Sequence, residues 1–241
     1  MTAAPTAAPR KLEVAILVCP GYLPVDVIGV HTLLGFQPEV NVHLVWKDLD
    51  EIQGTPNFPT RATTTFEECP ADLDVLLAGA VPPEILEDAE TLEFLADRGG
   101  RAKWVAGVCL GSLLMGAAGL LRGYRATTNF HAYDLLPYYG ADLVRTNRVV
   151  TDRNRITAGP ATGGIEIALR LLKDLRSTEA ARLSELGWEY APEPLFGVGT
   201  PELAGPELTE ASMREFAEEN TAFQAVSERA AERLGIVVPT A

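Results

Sequence analysis

The chain has 241 residues, 47% of them hydrophobic and 22% charged, and a chain of this length and composition can bury one full-sized core. Its formal net charge of -13 repels phosphate backbones and anionic lipid surfaces, so we expect neither a nucleic-acid partner nor a membrane partner. No apolar run approaches the roughly 20 residues of a membrane span, and residues 1–10 lack the apolar core of a signal peptide, which predicts a cytoplasmic protein.

The cysteines and histidines argue against a metal site and against a disulfide framework. An odd set of three widely spaced cysteines without a CxxC motif predicts free thiols, at Cys19, Cys69 and Cys109. No histidine pairs with a Cys, a Glu or a second His at a metal-ligand spacing; the three are His31, His43 and His131. We therefore expect no metal.

The first half of the chain alternates buried strands with helices. Residues 1–10, mainly Ala, Pro and Thr, are too poor in large apolar groups to order and are predicted to be a disordered leader. A continuous apolar run at 14–18 suits a central parallel strand, and the apolar spacing over 25–34 fits a helix with Asp26 at its start. Further elements are predicted as strands at 40–46, 61–66 (an edge), 74–79 and 103–108, and as a helix begun by Pro82 and Pro83 that runs through Leu95.

The second half of the chain adds a central helix and an acidic helical end. Residues 113–121 are almost all apolar and rich in Ala and Gly, which predicts a helix buried at the centre and ended by Gly123. The remaining predicted elements are a short helix at 133–139, a hairpin over 149–158, a helix opened by the glycines at 163 and 164, and an acidic helical segment over 209–234.

A cysteine flanked by glycines stands between a predicted strand and a predicted helix. Cys109 has Gly107 two residues before it and Gly111 two residues after it, which is typical of a nucleophile elbow, where small neighbours permit a sharp turn. The N-terminus of the following helix favours a thiolate, so we expect the pKa of Cys109 to fall below its free value of about 8.5. The alternative is a small buried residue at a strand end.

The same turn is expected to stabilise negative charge on a bound substrate. The backbone N–H of Leu110 points toward the place where such charge would develop, and a second donor could come from the loop at 78–80, where Gly79 allows a close approach. These two backbone groups are the predicted anion-stabilising pocket.

A reactive cysteine needs a partner that moves protons. The only histidine after the elbow is His131, and no His-x-Glu arrangement follows it, so a hydrolytic triad is not favoured. Asp26 is the better candidate, because the carboxyl ends of parallel strands gather the residues of a site at one edge of the sheet. From the residues alone, Asp26 fits equally well as an ordinary first-turn helix residue stabilised by the helix dipole.

The segments around Asp26 and Cys109, together with several others, are similar to those of one known superfamily. The chain resembles the ThiJ/PfpI superfamily, and within it the isonitrile hydratases, at residues 17–29, 108–112, 117–121 and 125–128, and also at 43–48, 63–66, 134–137 and 189–192. The likeness covers residues 11–195 and implies one flavodoxin-like α/β domain, a three-layer sandwich with a mainly parallel central sheet. Residues 196–241 are expected to be a helical extension packed on the same domain.

The resemblance also implies a reaction. Isonitrile hydratases add water to an isocyanide, R–NC, to give an N-substituted formamide, without a metal or an organic cofactor. Carried over to this sequence, that implies Cys109 as the nucleophile that forms a thioimidate and Asp26 as the group that shuttles the proton and positions water. It further implies a small-molecule substrate and a homodimer.

The chain departs from the hydratase pattern close to the predicted site. Leu110 replaces the Thr that usually follows the nucleophile, Ala78 and Ala80 flank Gly79 where Pro-Gly-Gly is usual, and Asn129 replaces the His that commonly follows the Thr pair. Three other functions stay open on the sequence. They are a glyoxalase-type enzyme or amide hydrolase of the superfamily, a thiol-based stress sensor and an AraC-type regulator, for which the acidic tail is too short.

Overall fold

A computed structural model describes residues 10–238, so the predicted leader at 1–10 lies outside the described residues except for Arg10. Eleven strands form within this range, seven of them in one central sheet. The strands are β1 (Leu12–Leu17), β2 (Val40–Trp46), β3 (Glu51–Gly54), β4 (Phe58–Arg61), β5 (Thr64–Thr65), β6 (Val75–Ala78), β7 (Trp104–Val108), β8 (Arg125–Ala126), β9 (Asp142–Leu143), β10 (Val150–Asp152) and β11 (Arg155–Ala158).

The central sheet has the order β10-β11-β7-β6-β1-β2-β5 and is parallel except for β10, which forms the predicted hairpin with β11. Its five inner strands follow one another as β2-β1-β6-β7-β11, which is the strand order 2-1-3-4-5 of flavodoxin-like folds. Strands β1 and β6 are buried along most of their length, because helices cover both of their faces. The predicted mainly parallel α/β sandwich is confirmed.

Two groups of helices cover the sheet. Strand β2 follows β1 toward one edge of the sheet, whereas β7 follows β6 toward the opposite edge. Because both crossover connections are right-handed, the two connecting helices lie on opposite faces of the sheet. The helices are α1 (Pro24–Gly35), α2 (Ala89–Arg101), α3 (Gly111–Ala117), α4 (Gly163–Leu175), α5 (Thr178–Gly187), α6 (Pro201–Glu215) and α7 (Ala217–Leu234), with 3-10 helices at Pro83–Glu87 and Phe130–Tyr139. Helices α1, α4 and α5 pack together, and α3 and α7 pack with the 3-10 helices.

Two predicted helices differ from the structure in their boundaries. The helix begun by Pro82 and Pro83 is interrupted at Asp88, whose side chain accepts a hydrogen bond of 2.8 Å from the N–H of Thr91 and caps the start of α2. The helix predicted over 113–121 ends at Ala117, because Gly119 adopts a left-handed φ of 77° that stops the helical path.

The acidic helical end is two helices rather than one. The segment predicted over 209–234 divides at Phe216, between α6 and α7. Helix α6 begins earlier than expected, at Pro201, and is kinked at Gly205, whose φ of 77° is not helical. Helix α7 packs against the second 3-10 helix, and a hydrogen bond of 2.7 Å joins the hydroxyls of Tyr139 and Ser227 between them. The Phe223 side chain of α7 is buried. Over the described range, no helix combines the length and the apolar composition that crossing a membrane requires.

Candidate active site

Cys109 stands on a strained turn at the carboxyl end of β7, directly before α3. Its φ of 55° lies in the left-handed region, which is rare for a residue with a side chain. Two hydrogen bonds of 2.8 Å to the backbone of Cys109 hold the turn: the N–H of Cys109 donates to the Ala158 carbonyl, and the side-chain hydroxyl of Thr128 donates to the Cys109 carbonyl. A Cβ at Gly111 would overlap the carbonyl oxygen of Ala78, so the turn requires glycine there. The predicted nucleophile-elbow geometry is present.

Asp26 lies in the first turn of α1, which follows β1, the strand next to β6 in the sheet. This is the point where the strand order reverses, and ligand sites of open α/β sheets form in that crevice. The Asp26 carboxylate accepts a hydrogen bond of 2.6 Å from the N–H of Ala80 at Oδ2, and its other oxygen, Oδ1, is buried without a hydrogen-bond partner among the described residues. Gly79 permits this approach, since a Cβ there would lie 2.6 Å from the Cβ of Asp26.

Burial raises the pKa of both groups, and Asp26 also raises the pKa of Cys109. Burial raises the pKa of Asp26 from 3.8 to about 7, and the hydrogen bond from Ala80 opposes the rise. Burial raises the pKa of Cys109 to about 12, and the nearby charge of Asp26 adds to that rise. The expected lowering of the thiol pKa by the helix N-terminus is therefore wrong, because desolvation of the sulfur outweighs the hydrogen-bond donors around it.

Of the two predicted anion-stabilising backbone groups, the structure brings one to the sulfur. The N–H of Leu110 hydrogen-bonds the Cys109 thiol and acts to lower its pKa. In the loop after β6, the N–H of Ala80 is bonded to Asp26 instead, and Gly79 packs against that same side chain. The loop therefore holds the carboxylate in place, a role for Gly79 that its neighbours in the sequence did not indicate.

A cavity of about 500 Å³ opens above the elbow, and both Cys109 and Leu110 contribute to its wall. Its lining is mainly apolar, with contributions from Leu23, Val81 and Phe216. The C-terminal segment closes one side, because Phe216, Glu219 and Asn220 belong to the junction of α6 and α7. The cavity has room for a small apolar molecule, which it would hold against the thiol.

Sequence reasoning gave no role to two further polar residues of this cavity, Asn129 and His131. The Asn129 side chain acts to lower the pKa of the Cys109 thiol, and its Oδ1 lies 2.7 Å from Nδ1 of His131. The Nε2 atom of His131 lies 2.9 Å from the hydroxyl of Ser212 on α6. The signal available in the sequence was the position of Asn129, two residues before the only histidine that follows the elbow.

Neither of the two remaining histidines belongs to a second site in the described part of the chain. His43 lies on β2 between the hydroxyl of Thr64 and the carboxylate of Glu13, and His31 is exposed on α1. Across residues 10–238, no group of three or more His, Cys, Asp or Glu side chains could hold a metal ion. The chemistry available at the site is that of a thiol, a carboxyl group and a few hydrogen-bond donors.

Comparison with known proteins places this site in a family. An isonitrile hydratase from Pseudomonas putida is 40% identical to the chain over 227 residues, which cover 93% of this chain and 99% of that protein. A crystal structure of a THiJ/PfpI family protein from Pseudomonas syringae covers 93% of this chain and 97% of its own at 36% identity, with a TM-score of 0.87. Drosophila melanogaster DJ-1beta shares the fold at 16% identity, with a TM-score of 0.68 over 76% of this chain and 100% of its own. The DJ-1/PfpI family model matches residues 12–174, and the chain therefore belongs to the DJ-1/PfpI family.

Proposed function

We propose that this protein is an isonitrile hydratase, which adds water to a small isocyanide and releases an N-substituted formamide. The observation that carries the proposal is the placement of the Cys109 thiol in the wall of a mainly apolar cavity, within the electrostatic influence of the Asp26 carboxylate. An isocyanide has a weakly polar, uncharged body and a reactive terminal carbon, so such a cavity suits it. The 40% identical relative named isonitrile hydratase supports the same reaction.

In the first step the sulfur bonds to the terminal carbon of R–NC. With a pKa of about 12 the thiol of Cys109 holds its proton at neutral pH, so the proton leaves as the sulfur attacks. Asp26, whose pKa is about 7, accepts this proton and returns it to the same carbon, which gives the thioimidate R–N=CH–S–Cys. The unpartnered Oδ1 of Asp26 provides a free oxygen for this transfer.

In the second step water replaces the sulfur. Asp26 removes a proton from the water molecule that attacks the thioimidate carbon and passes it to the imine nitrogen. The C–S bond of the tetrahedral adduct R–NH–CH(OH)–S–Cys then breaks while its hydroxyl proton passes to the sulfur, which releases R–NH–CHO and restores the thiol of Cys109. The N–H of Leu110, which is directed at the sulfur, stabilises the negative charge that the sulfur develops as it leaves.

The site suits the other candidate functions less well. A thiol sensor requires an accessible cysteine with a lowered pKa, whereas Cys109 is buried and its pKa is raised. An amide hydrolase requires a base that activates the nucleophile, and the ring of His131 contacts Asn129 and Ser212 instead. In the proposed hydration the thiol proton passes to Asp26 as the sulfur attacks, so the reaction needs neither a lowered thiol pKa nor a histidine base.

The proposal is tested with cyclohexyl isocyanide, a simple apolar isocyanide, by following formamide formation by NMR. The unmodified protein should form the formamide, and Cys109→Ala should abolish formation because no bond to the substrate carbon can form. Asp26→Asn should reduce kcat by about 10²- to 10⁴-fold, the usual contribution of a general acid or base.

Cys19→Ala is the matched control, because Cys19 is also a buried thiol at a strand end and has no place in the proposed chemistry. It should keep at least half of the activity. If a folded sample forms no formamide from this or other apolar isocyanides, the hydratase assignment is wrong, and full activity of Asp26→Asn would remove Asp26 from the mechanism.

A further inference from the structure

Asn129 is fixed in one orientation by hydrogen bonds on its oxygen side. Its Oδ1 accepts from the backbone N–H of His131 at 3.1 Å and also lies 2.7 Å from the ring Nδ1 of the same residue. Because the backbone N–H can only donate, this atom of Asn129 is the amide oxygen, and the NH₂ group occupies the other position. The ring Nδ1 must then also donate to this oxygen. The NH₂ group is therefore the part of Asn129 that is free to donate toward Cys109. Both residues line the same cavity, and the hydroxyl of the adjacent Thr128 donates a hydrogen bond of 2.8 Å to the Cys109 carbonyl.

His131 is held in turn by the C-terminal segment. Since Nδ1 donates to Asn129, the neutral ring has an acceptor at Nε2, and the Ser212 hydroxyl, 2.9 Å away on α6, donates to it. The ring lies between two aromatic side chains, with centroid distances of 3.8 Å to Phe130 and 4.3 Å to Phe216. Burial lowers the pKa of His131, which favours this neutral form.

We propose that the Asn129 amide is a catalytic hydrogen-bond donor to the sulfur of Cys109, and that His131 and Ser212 are positioning residues that aim it. The amide and the N–H of Leu110 together form two donors to the sulfur, so the negative charge on sulfur is shared between a side chain and the backbone. The part that this plays in turnover rests on the proposed function, whereas the hydrogen bonds to the thiol do not.

The arrangement makes the C-terminal segment part of the reactive centre. Ser212 lies 81 residues after His131 in the chain, and it reaches the sulfur through only two intervening side chains. Phe216, which packs on the His131 ring, also lines the cavity. The helices after residue 200 therefore close the cavity and also determine the hydrogen bonding of the nucleophile.

The test is the rate at which iodoacetamide alkylates Cys109, followed by mass spectrometry of its peptide between pH 7 and pH 9.5. Loss of a hydrogen bond to a charged sulfur should slow alkylation about tenfold at each pH in Asn129→Ala. Asn129→Asp keeps the size and the acceptor oxygen but replaces the donor with a negative charge, so it should slow alkylation at least as much. If both variants react at the unmodified rate or faster, the amide is not a donor to the sulfur.

Asn220→Ala provides the matched control, because Asn220 is a second amide in the wall of the same cavity. Its alkylation rate should stay within about twofold of the unmodified protein. A loss equal to that of Asn129→Ala would show a general effect of cavity shape and would overturn the proposal.

His131→Phe separates positioning from packing, because it keeps an aromatic ring between Phe130 and Phe216 and removes the Nδ1 donor. Alkylation should slow by about two- to fivefold, less than in Asn129→Ala, since the backbone N–H of residue 131 still holds the amide. The double variant should be no slower than Asn129→Ala alone, whereas multiplied effects would show that His131 acts independently. An absence of formamide in the unmodified protein would defeat the hydratase assignment and leave these alkylation differences unchanged.

Discussion

Asp26 is fully buried, and its pKa of about 7 lies far above the 3.8 of an exposed aspartate. Because the pKa of Asp26 is higher in the folded than in the unfolded state, Asp26 favours folding most below pH 3.8. Its contribution to the free energy of unfolding is lost as the pH rises toward 7. The rise corresponds to a cost of up to about 4 kcal/mol above pH 7. Asp26→Asn should therefore raise the free energy of unfolding by about 2 to 4 kcal/mol at pH 8 and by almost nothing near pH 3.5.

The measurement is urea unfolding of both proteins at the two pH values. Asp50→Asn is the control, since Asp50 is exposed and its replacement should change stability by less than about 0.5 kcal/mol at either pH. Equal stability of Asp26→Asn and the unmodified protein at pH 8 would show that Asp26 is not held in a charge-disfavouring environment. If Asp26→Asn is more stable than the unmodified protein and loses activity, the Asp26 carboxylate serves catalysis at a cost in stability.

The residues of the site could be predicted more completely than their electrostatics. The glycines around Cys109 and the position of Asp26 after the first strand are local features, and the structure places both residues at the expected edge of the sheet. The direction of the thiol pKa depends on how deeply the sulfur is buried, which a sequence pattern does not encode. The position of Asn129 near Cys109 likewise depends on a turn that lies 20 residues after Cys109 in the chain.

The buried strands were predicted well, because a continuous apolar run can be buried on both faces of a sheet only between two layers of helices. Helix boundaries were predicted less well. Asp88 interrupts a helix by capping the next one, and Phe216 separates α6 from α7 without a Gly or Pro at the break. Such breaks follow from tertiary packing, which competes with local helix preference.

Phe223 is the largest of the buried residues of helix α7, and its side chain is fully buried. Phe223→Ala should lower the free energy of unfolding by about 3 to 5 kcal/mol through lost burial and the cavity left behind. Phe196→Ala is the matched control in the same C-terminal region, because Phe196 is 80% exposed and should contribute less than about 0.5 kcal/mol. Equal losses in the two variants by thermal and urea unfolding would contradict this contribution of Phe223 to stability.

The expected homodimer requires an apolar surface that is exposed in the isolated chain. Val25, Ile28 and Phe58 are each more than 40% exposed and line a groove between the start of α1 and the β3–β4 hairpin. Leu23 and Thr55 belong both to this groove and to the active-site cavity. A second copy seated here would bury the exposed apolar residues and would adjoin the entrance to the site.

A dimer built on this groove should dissociate to monomers in Ile28→Glu, because a two-fold interface would bury the new charge in both copies. Analytical ultracentrifugation at several concentrations measures the change, and a dissociation constant at least about 100-fold weaker is expected from two buried, unpaired carboxylates. Leu186→Glu is the control on a different apolar face, since Leu186 is 75% exposed on α5. If Leu186→Glu separates the copies and Ile28→Glu does not, the interface lies on α5, and the active-site cavity opens away from the partner.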